Sequence, residues 1–267
     1  MAIARDSGLN VENLGRVVGV IIDTARSDAH LSGWGLRRSA SALGCFMVAV
    51  LLIPSGGCAK ENKPVTDPLL ERWTEQGPVR GKLSEPGAIA WLGVPFADVT
   101  ERWTLPKLPR PRTEPLAATN FREPPLQLAG DSLSKAVVGS EDCQYVDIYA
   151  PVGAGPDESL PVMFWIYGGG QTSGSSRAYD GSRLAAENGV VVIVTNYRVG
   201  PFGWFHHPSI IPEGASGHFA LYDLMAALEW VRRNAANFGG DPLNITIFGE
   251  SAGAQNVLAL YMAPAAE

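Results

Sequence analysis

Apolar and polar positions along this chain follow two different rhythms. Residues 1–36 show no sustained periodicity, and the apolar run 17–22 is too short to span a membrane. From residue 79, short apolar segments follow one another. VRGKL at 79–83 and AIAWLGVPF at 88–96 read as strands. Pro106, Pro109, Pro111, Pro115, Pro124 and Pro125 then fill a stretch that can hold neither a regular helix nor a central strand, because proline lacks the N–H that either ladder needs. Residues 145–149 predict another strand. Beyond residue 160 strands alternate with helices. A continuous apolar run at 162–167 predicts a buried strand and is followed by Gly168-Gly169-Gly170. A short helix at 182–187 and a strand at 190–195 come next. A helix at 219–233 carries Leu221, Leu224, Met225, Leu228 and Val231 at helical spacing. Residues 237–242 break it, Ile245, Ile247 and Phe248 mark a strand, residues 249–253 a tight turn, and an amphipathic helix runs to 262. This alternation predicts right-handed βαβ units and a mostly parallel sheet, with antiparallel strands ahead of it.

The N-terminal region has its own pattern. Arg37-Arg38, an apolar run at 40–54 and Ser55-Gly56-Gly57-Cys58 have the basic start, apolar middle and small-residue end of a secretory signal. The ending resembles the lipobox of bacterial lipoproteins, with Ser55 where that family usually has Leu. The resemblance implies lipidation of Cys58, membrane attachment through it, and export to a bacterial periplasm or a membrane-anchored state. An uncleaved apolar segment is the other way to attach. A signal this far into the chain suggests that translation starts near Leu36. The expected organisation is an N-terminal extension at 1–36, a signal peptide at 37–58, a polar tether at 59–78 and a folded domain at 79–267.

Composition narrows the function. A chain of 267 residues that is 46% hydrophobic and 18% charged can bury one large core. A net charge of −6 argues against nucleic acid as a partner. Of three cysteines, Cys45 and Cys58 lie in the N-terminal segment, so Cys143 stands alone in the body and no disulfide framework is expected. His30, His206, His207 and His218 all precede residue 251.

The turn at 249–253 carries the chemistry. Gly249-Glu250-Ser251-Ala252-Gly253 is a Gly-x-Ser-x-Gly pattern set between a strand and a helix, which is the nucleophile elbow of α/β-hydrolases. The serine is held in a strained backbone so that its hydroxyl stands clear, and residues two before and two after it crowd neighbouring backbone, where only small residues fit. Glu250 could tune a cationic intermediate or bind a neighbouring arginine; the structural role is favoured. A phosphate-binding turn at 168–170 would need a glycine at 173, which is Ser, and a Gly-Lys-Ser/Thr ending, which is absent.

AWLGVPFA (90–97), SEDCQYVDIYAP (140–151), FWIYGGG (164–170), TNYRVGPFG (195–203), FGGDP (238–242) and FGESAGA (248–254) come in one order and at consistent spacing. Together they resemble the type-B carboxylesterase and cholinesterase family. The resemblance implies an α/β-hydrolase fold that stops after the elbow and its helix. It implies Ser251 as nucleophile and the N–H groups of Gly169, Gly170 and Ala252 as an oxyanion hole. It also implies ion pairs Arg198–Asp223 and Arg102–Glu141. The substrate would be a small carboxylic ester, with no cofactor or metal. Cys143 occupies a position that forms a disulfide in many family members; its partner would fall near Pro125, where no cysteine stands. The family's triad runs Ser, then Glu or Asp, then His, so His206, His207 and His218 are expected to be loop residues and the triad acid and base are missing from this chain. Two functions follow. One is a serine carboxylic-ester hydrolase, without turnover in this chain alone. The other is a non-catalytic cholinesterase-like binding module on a membrane. The strand into the elbow is expected to leave an open apolar edge.

Overall fold

Apolar runs separated by short polar turns fold here into hairpins before any helix appears. The computed structural model describes residues 20–23, 68–99, 101–129, 136–210 and 216–263. Its strands begin with β1 (Val20–Asp23), then β2 (Glu71–Thr74), β3 (Gly77–Arg80), β4 (Lys82–Ser84) and β5 (Ala88–Pro95). β2 pairs antiparallel with β3, and β4 with β5. The proline-bearing stretch contributes only two-residue strands, β6 (Leu116–Ala117) and β7 (Gln127–Leu128), the latter paired with β8 (Val137–Val138). β9 (Tyr145–Pro151), β10 (Leu160–Ile166), α1 (Ser182–Asn188), β11 (Val191–Thr195), α2 (Gly200–Gly203), α3 (Phe219–Asn234), β12 (Gly240–Glu250) and α4 (Ala252–Met262) complete the chain order.

Seven strands form one sheet in the order β1-β12-β10-β11-β9-β5-β4. The first four run parallel to one another, while β9, β5 and β4 alternate in direction. Both faces are covered. On β11, Val191 and Ile193 join one core with Phe164, Ile166, Trp91 and the α3 residues Leu224 and Trp230. Val192 and Val194 face the other core, with Tyr149 and Ala185 of α1. Five consecutive buried residues therefore make a strand rather than a helix segment: period-2 alternation serves two apolar layers. α1 stops at Gly189, whose φ of 63° lets its N–H cap the Ala185 carbonyl.

Three expectations change. The tether expected over 59–78 ends earlier, because 71–74 is β2 and Arg72 is buried, its Nη2 donating to the Ala154 carbonyl at 2.7 Å. The break expected at 237–242 is shorter. A 3-10 turn spans Ala235–Phe238, and β12 starts at Gly240 with Pro242 inside it, where the register against β10 shifts and no N–H is required. The open edge of the elbow strand is paired: Val20–Asp23 lies parallel to it, with Val20 opposite Ile247 and Asp23 opposite Glu250. The signal at 37–58, Cys58 and the remaining N-terminal extension lie outside the described residues. Among the described residues no helix is long and apolar enough to cross a membrane.

Candidate active site

Two neighbouring parallel strands bring the functional residues together. β10 and β12 are in register with Ile166 opposite Gly249, so the loop leaving β10 and the turn leaving β12 emerge side by side at the C-terminal edge of the sheet. Ser251 sits at the corner between β12 and α4 with φ 54° and ψ −121°, a conformation that L-residues rarely adopt. The flanking glycines are explained by one oxygen. A Cβ on Gly249 would lie 2.6 Å from the Ile166 carbonyl oxygen, and a Cβ on Gly253 would overlap it. The elbow can thus press against β10 only if both positions lack a side chain.

The glycine loop abuts the serine. A Cβ on Gly168 would lie 2.9 Å from the Ser251 Cβ and 2.9 Å from Oε2 of Glu250. Ser251 is exposed and Ala252 is buried. Among the described residues, the N–H groups of Gly169, Gly170 and Ala252 donate to no protein acceptor, and Ser251 Oγ makes no hydrogen bond. Gly168 thus brings the loop carrying Gly169 and Gly170 against Ser251, and Ala252 opens the helix there, where the backbone dipoles favour negative charge.

The loop is held from several directions. Thr172 and Ser173 N–H groups close back on the Gly169 carbonyl at 3.1 Å each. Tyr167 and Tyr197 stack at 4.6 Å, and Tyr197 Oη donates to the Tyr167 carbonyl at 2.7 Å. Burial raises both phenols' pKa values, so they remain neutral donors. Gln127 reads the backbone of Gly174 in both directions, donating to its carbonyl and accepting from its N–H at 2.9 Å each. Gln171, with φ 63°, exchanges amide hydrogen bonds with Asn256 of α4. Gln127, Gln171 and Asn256 were invisible to sequence reasoning: an amide side chain carries no pattern until its distant partner is known.

Glu250 is half-buried and lies against Gly168, and no arginine or lysine pairs with it among the described residues, so the arginine-binding role expected for it is not seen. Arg198 and Asp223 form a buried two-pronged contact, with Nη2–Oδ1 at 2.7 Å and Nε–Oδ2 at 2.8 Å. Arg102 and Glu141 meet at 2.6 Å on the surface. His206, His207 and His218 sit on the connection between α2 and α3. His207 Nδ1 accepts from the Ser209 N–H, and the His218 ring lies 5.8 Å from that of Trp204. None of the three hydrogen-bonds Ser251. Cys143 is buried as a free thiol, and burial, ahead of the charge of Asp223, pushes its pKa well up. A cavity of about 350 Å³ lined by Arg102, Trp103, Glu141, Cys143, Arg198 and Phe202 does not include Ser251, which sits at the C-terminal edge of the sheet.

A family model described as "Carboxylesterase family" matches residues 70–267. Para-nitrobenzyl esterase of Bacillus subtilis (strain 168) is 43% identical over 202 residues, which cover 73% of this chain and 40% of that protein. Fumonisin B1 esterase of Sphingopyxis macrogoltabida is 39% identical over 244 residues, covering 87% of this chain and 43% of that protein. Among solved structures, a PNB esterase superposes with a TM-score of 0.66 at 41% identity, over 74% of this chain and 42% of that one. A Geobacillus stearothermophilus carboxylesterase superposes with a TM-score of 0.67 at 38% identity, over 74% of this chain and 41% of that one. The chain spans about two fifths of the length of these relatives.

Proposed function

This chain belongs to the carboxylesterase family, and we propose that it carries the nucleophile and the oxyanion donors of a serine hydrolase acting on small carboxylic esters. Ser251 is the nucleophile. Its Oγ bonds the ester carbonyl carbon while its proton passes to a base, and the carbonyl electron pair moves onto oxygen. The N–H groups of Gly169, Gly170 and Ala252 receive that oxyanion. Collapse of the adduct expels the alcohol, which takes up the proton. Water then repeats the sequence on the acyl-serine, releasing the carboxylic acid and restoring the hydroxyl. Each well-aimed oxyanion donor is worth about 3–4 kcal/mol at the transition state.

The observation that carries this reading is the strained, exposed Ser251 beside three N–H groups with no protein acceptor. A serine hydroxyl is a weak nucleophile at neutral pH without an adjacent base. No imidazole among the described residues hydrogen-bonds Ser251, so the base and its acid partner are assigned to sequence outside those residues. Residues 59–267 expressed alone should therefore show no useful serine-dependent turnover of short-chain nitrophenyl esters. Loss of the histidine alone costs on the order of 10⁶ in kcat in another serine hydrolase.

A fluorophosphonate probe applied to the complete protein is the test. Ser251 Oγ should displace fluoride from phosphorus and carry the label, and Ser251→Ala should remain unlabelled. A folded complete protein that resists the probe would favour the non-catalytic binding module instead. We also propose export directed by residues 37–58 with lipidation at Cys58, a maturation that removes residues 1–57 and with them the Val20–Asp23 strand that pairs with β12 in the unprocessed chain. The mass of the mature N-terminal peptide checks it: an acylated cysteine at 58 is expected, and an unprocessed N-terminus upstream of 37 overturns it.

A further inference from the structure

An oxyanion hole built from two chain segments works only if those segments keep a fixed separation. Here Gly169 and Gly170 lie on the loop after β10, and Ala252 opens α4. Steric contacts press the two together: Gly168 meets Ser251, and Gly253 meets the Ile166 carbonyl. Such contacts resist closer approach but offer little against drift apart. Hydrogen bonds supply the opposite restraint, and among the described residues every hydrogen bond from residues 168–174 to α4 comes from one side chain. Gln171 Nε2 donates to Asn256 Oδ1 at 2.7 Å and to the Ala252 carbonyl at 3.3 Å, and Asn256 Nδ2 donates back to Gln171 Oε1 at 3.2 Å. Asn256 is 1% exposed and Gln171 is half-buried, so the Asn256 end of the pair is shielded from competing water.

The backbone of Gln171 is committed as well. Its φ is 63°, which is unfavourable for any residue with a Cβ, and its carbonyl accepts from the Gly200 N–H at 2.6 Å. Glycine would adopt this conformation without strain. A strained glutamine here indicates that its side chain is used.

We propose that the Gln171–Asn256 amide pair is a positioning device that fixes the oxyanion loop against the nucleophile helix. It rests on the serine-hydrolase reading above for its chemical purpose, but the mechanical claim can be tested alone. A misplacement of about 1 Å can cost on the order of a hundredfold in rate.

The test uses the complete protein and two readouts: the rate of fluorophosphonate labelling at Ser251, and hydrogen–deuterium exchange of residues 168–174. Gln171→Gly is the diagnostic variant, since it relieves the left-handed strain while deleting the clamp. The relieved strain offsets part of the lost hydrogen bonding, so the variant should stay folded, slow labelling at least tenfold and speed exchange in the loop. Asn256→Ala should slow labelling by a similar factor, and the double variant should be no slower than either single one. The swap Gln171→Asn with Asn256→Gln retains the total reach and should restore most of the rate. Labelling and loop exchange that match the wild type in Gln171→Gly would overturn the proposal, as would losses that multiply in the double variant. A wild-type protein that resists labelling while loop exchange rises in the variants would remove the hydrolase reading and leave the clamp standing. Resistance with unchanged exchange would remove both.

Discussion

Arg198–Asp223 and Arg102–Glu141 are nearly identical as contacts and opposite as environments. Both are multi-pronged, at 2.7 Å and 2.6 Å, and both arginines lie over a phenylalanine ring, Phe219 and Phe202 respectively. The first pair has side chains 4% and 0% exposed, and the second 54% and 37%. Arg198 also donates to the Thr104 carbonyl, and Asp223 accepts the Arg198 backbone N–H, so the buried pair ties three segments together. Distance therefore does not rank these interactions; solvent does. Inside, neither charge can be left alone. On the rim, water replaces either partner.

The largest expected effect comes from breaking the buried side. Asp223→Ala strands the Arg198 guanidinium in the interior and should lower stability by about 3–5 kcal/mol in a denaturant titration. A loss no greater than that of an exposed charge would erase the contrast. Asp147 sharpens it from another direction, as a buried carboxyl with no arginine facing it in a two-pronged contact. It is 2% exposed, accepts from the Gly93 N–H at 2.7 Å through Oδ1, and has no hydrogen-bond partner for Oδ2. Burial raises its pKa to about 6 from an ordinary 3.8, against smaller opposing effects of Ser176, the Gly93 N–H and the charge of Arg177. The folded state then binds the proton more tightly than the unfolded chain. The resulting stability is full below about pH 4 and is lost as pH rises through about 6, a change of about 3 kcal/mol. Asp147→Asn should flatten that slope and raise stability at pH 7. A pH–stability curve identical in the variant would show that Asp147 is not the group responsible.

A smaller effect is expected at an uncharged link. Gln76, 5% exposed, accepts from Trp230 Nε1 at 2.9 Å, and Gln76→Ala should cost about 1–3 kcal/mol by leaving a buried donor without a partner. The smallest effect belongs to the rim. Glu141→Gln should shift the denaturation midpoint least of all, and the shift should vanish in molar salt. A large, salt-independent loss there would mean that the Arg102 contact is shielded by something that covers this face.

Gln76 also shows where polarity misleads. Residues 59–78 read as a tether because Glu71, Arg72, Thr74, Glu75 and Gln76 are polar. In the fold several of them serve as hydrogen-bonding partners. Arg72 holds the Ala154 carbonyl, Gln76 holds Trp230, and the Glu75 N–H meets Asn234 Oδ1 at 2.9 Å. Hydrophobic patterning detects burial by apolar side chains and misses burial by paired polar ones. The elbow was legible for the converse reason. A strand, a Gly-x-Ser-x-Gly corner and a helix are all local, and the glycines answer to a steric demand that any sequence making that corner must meet. Gln171 and Asn256 lie 85 positions apart, and neither residue type implies the other. The pairing of β1 with β12 was equally hidden. An apolar run at 17–22 is visible, but nothing local says which edge it takes.

That last pairing has a consequence for the order of events during synthesis. Val20 and Ile247 are more than two hundred residues apart, so β1 is made long before β12 and can pair with it only after the strands between them have been translated. At about 5–20 residues per second the delay is on the order of tens of seconds. Through that interval the β4–β5 hairpin, whose partners are near neighbours in sequence, can already form, while Val20-Ile21-Ile22 has no strand to join. β12 is therefore the strand that must find β10 on one side and, on the other, a strand made more than two hundred residues earlier.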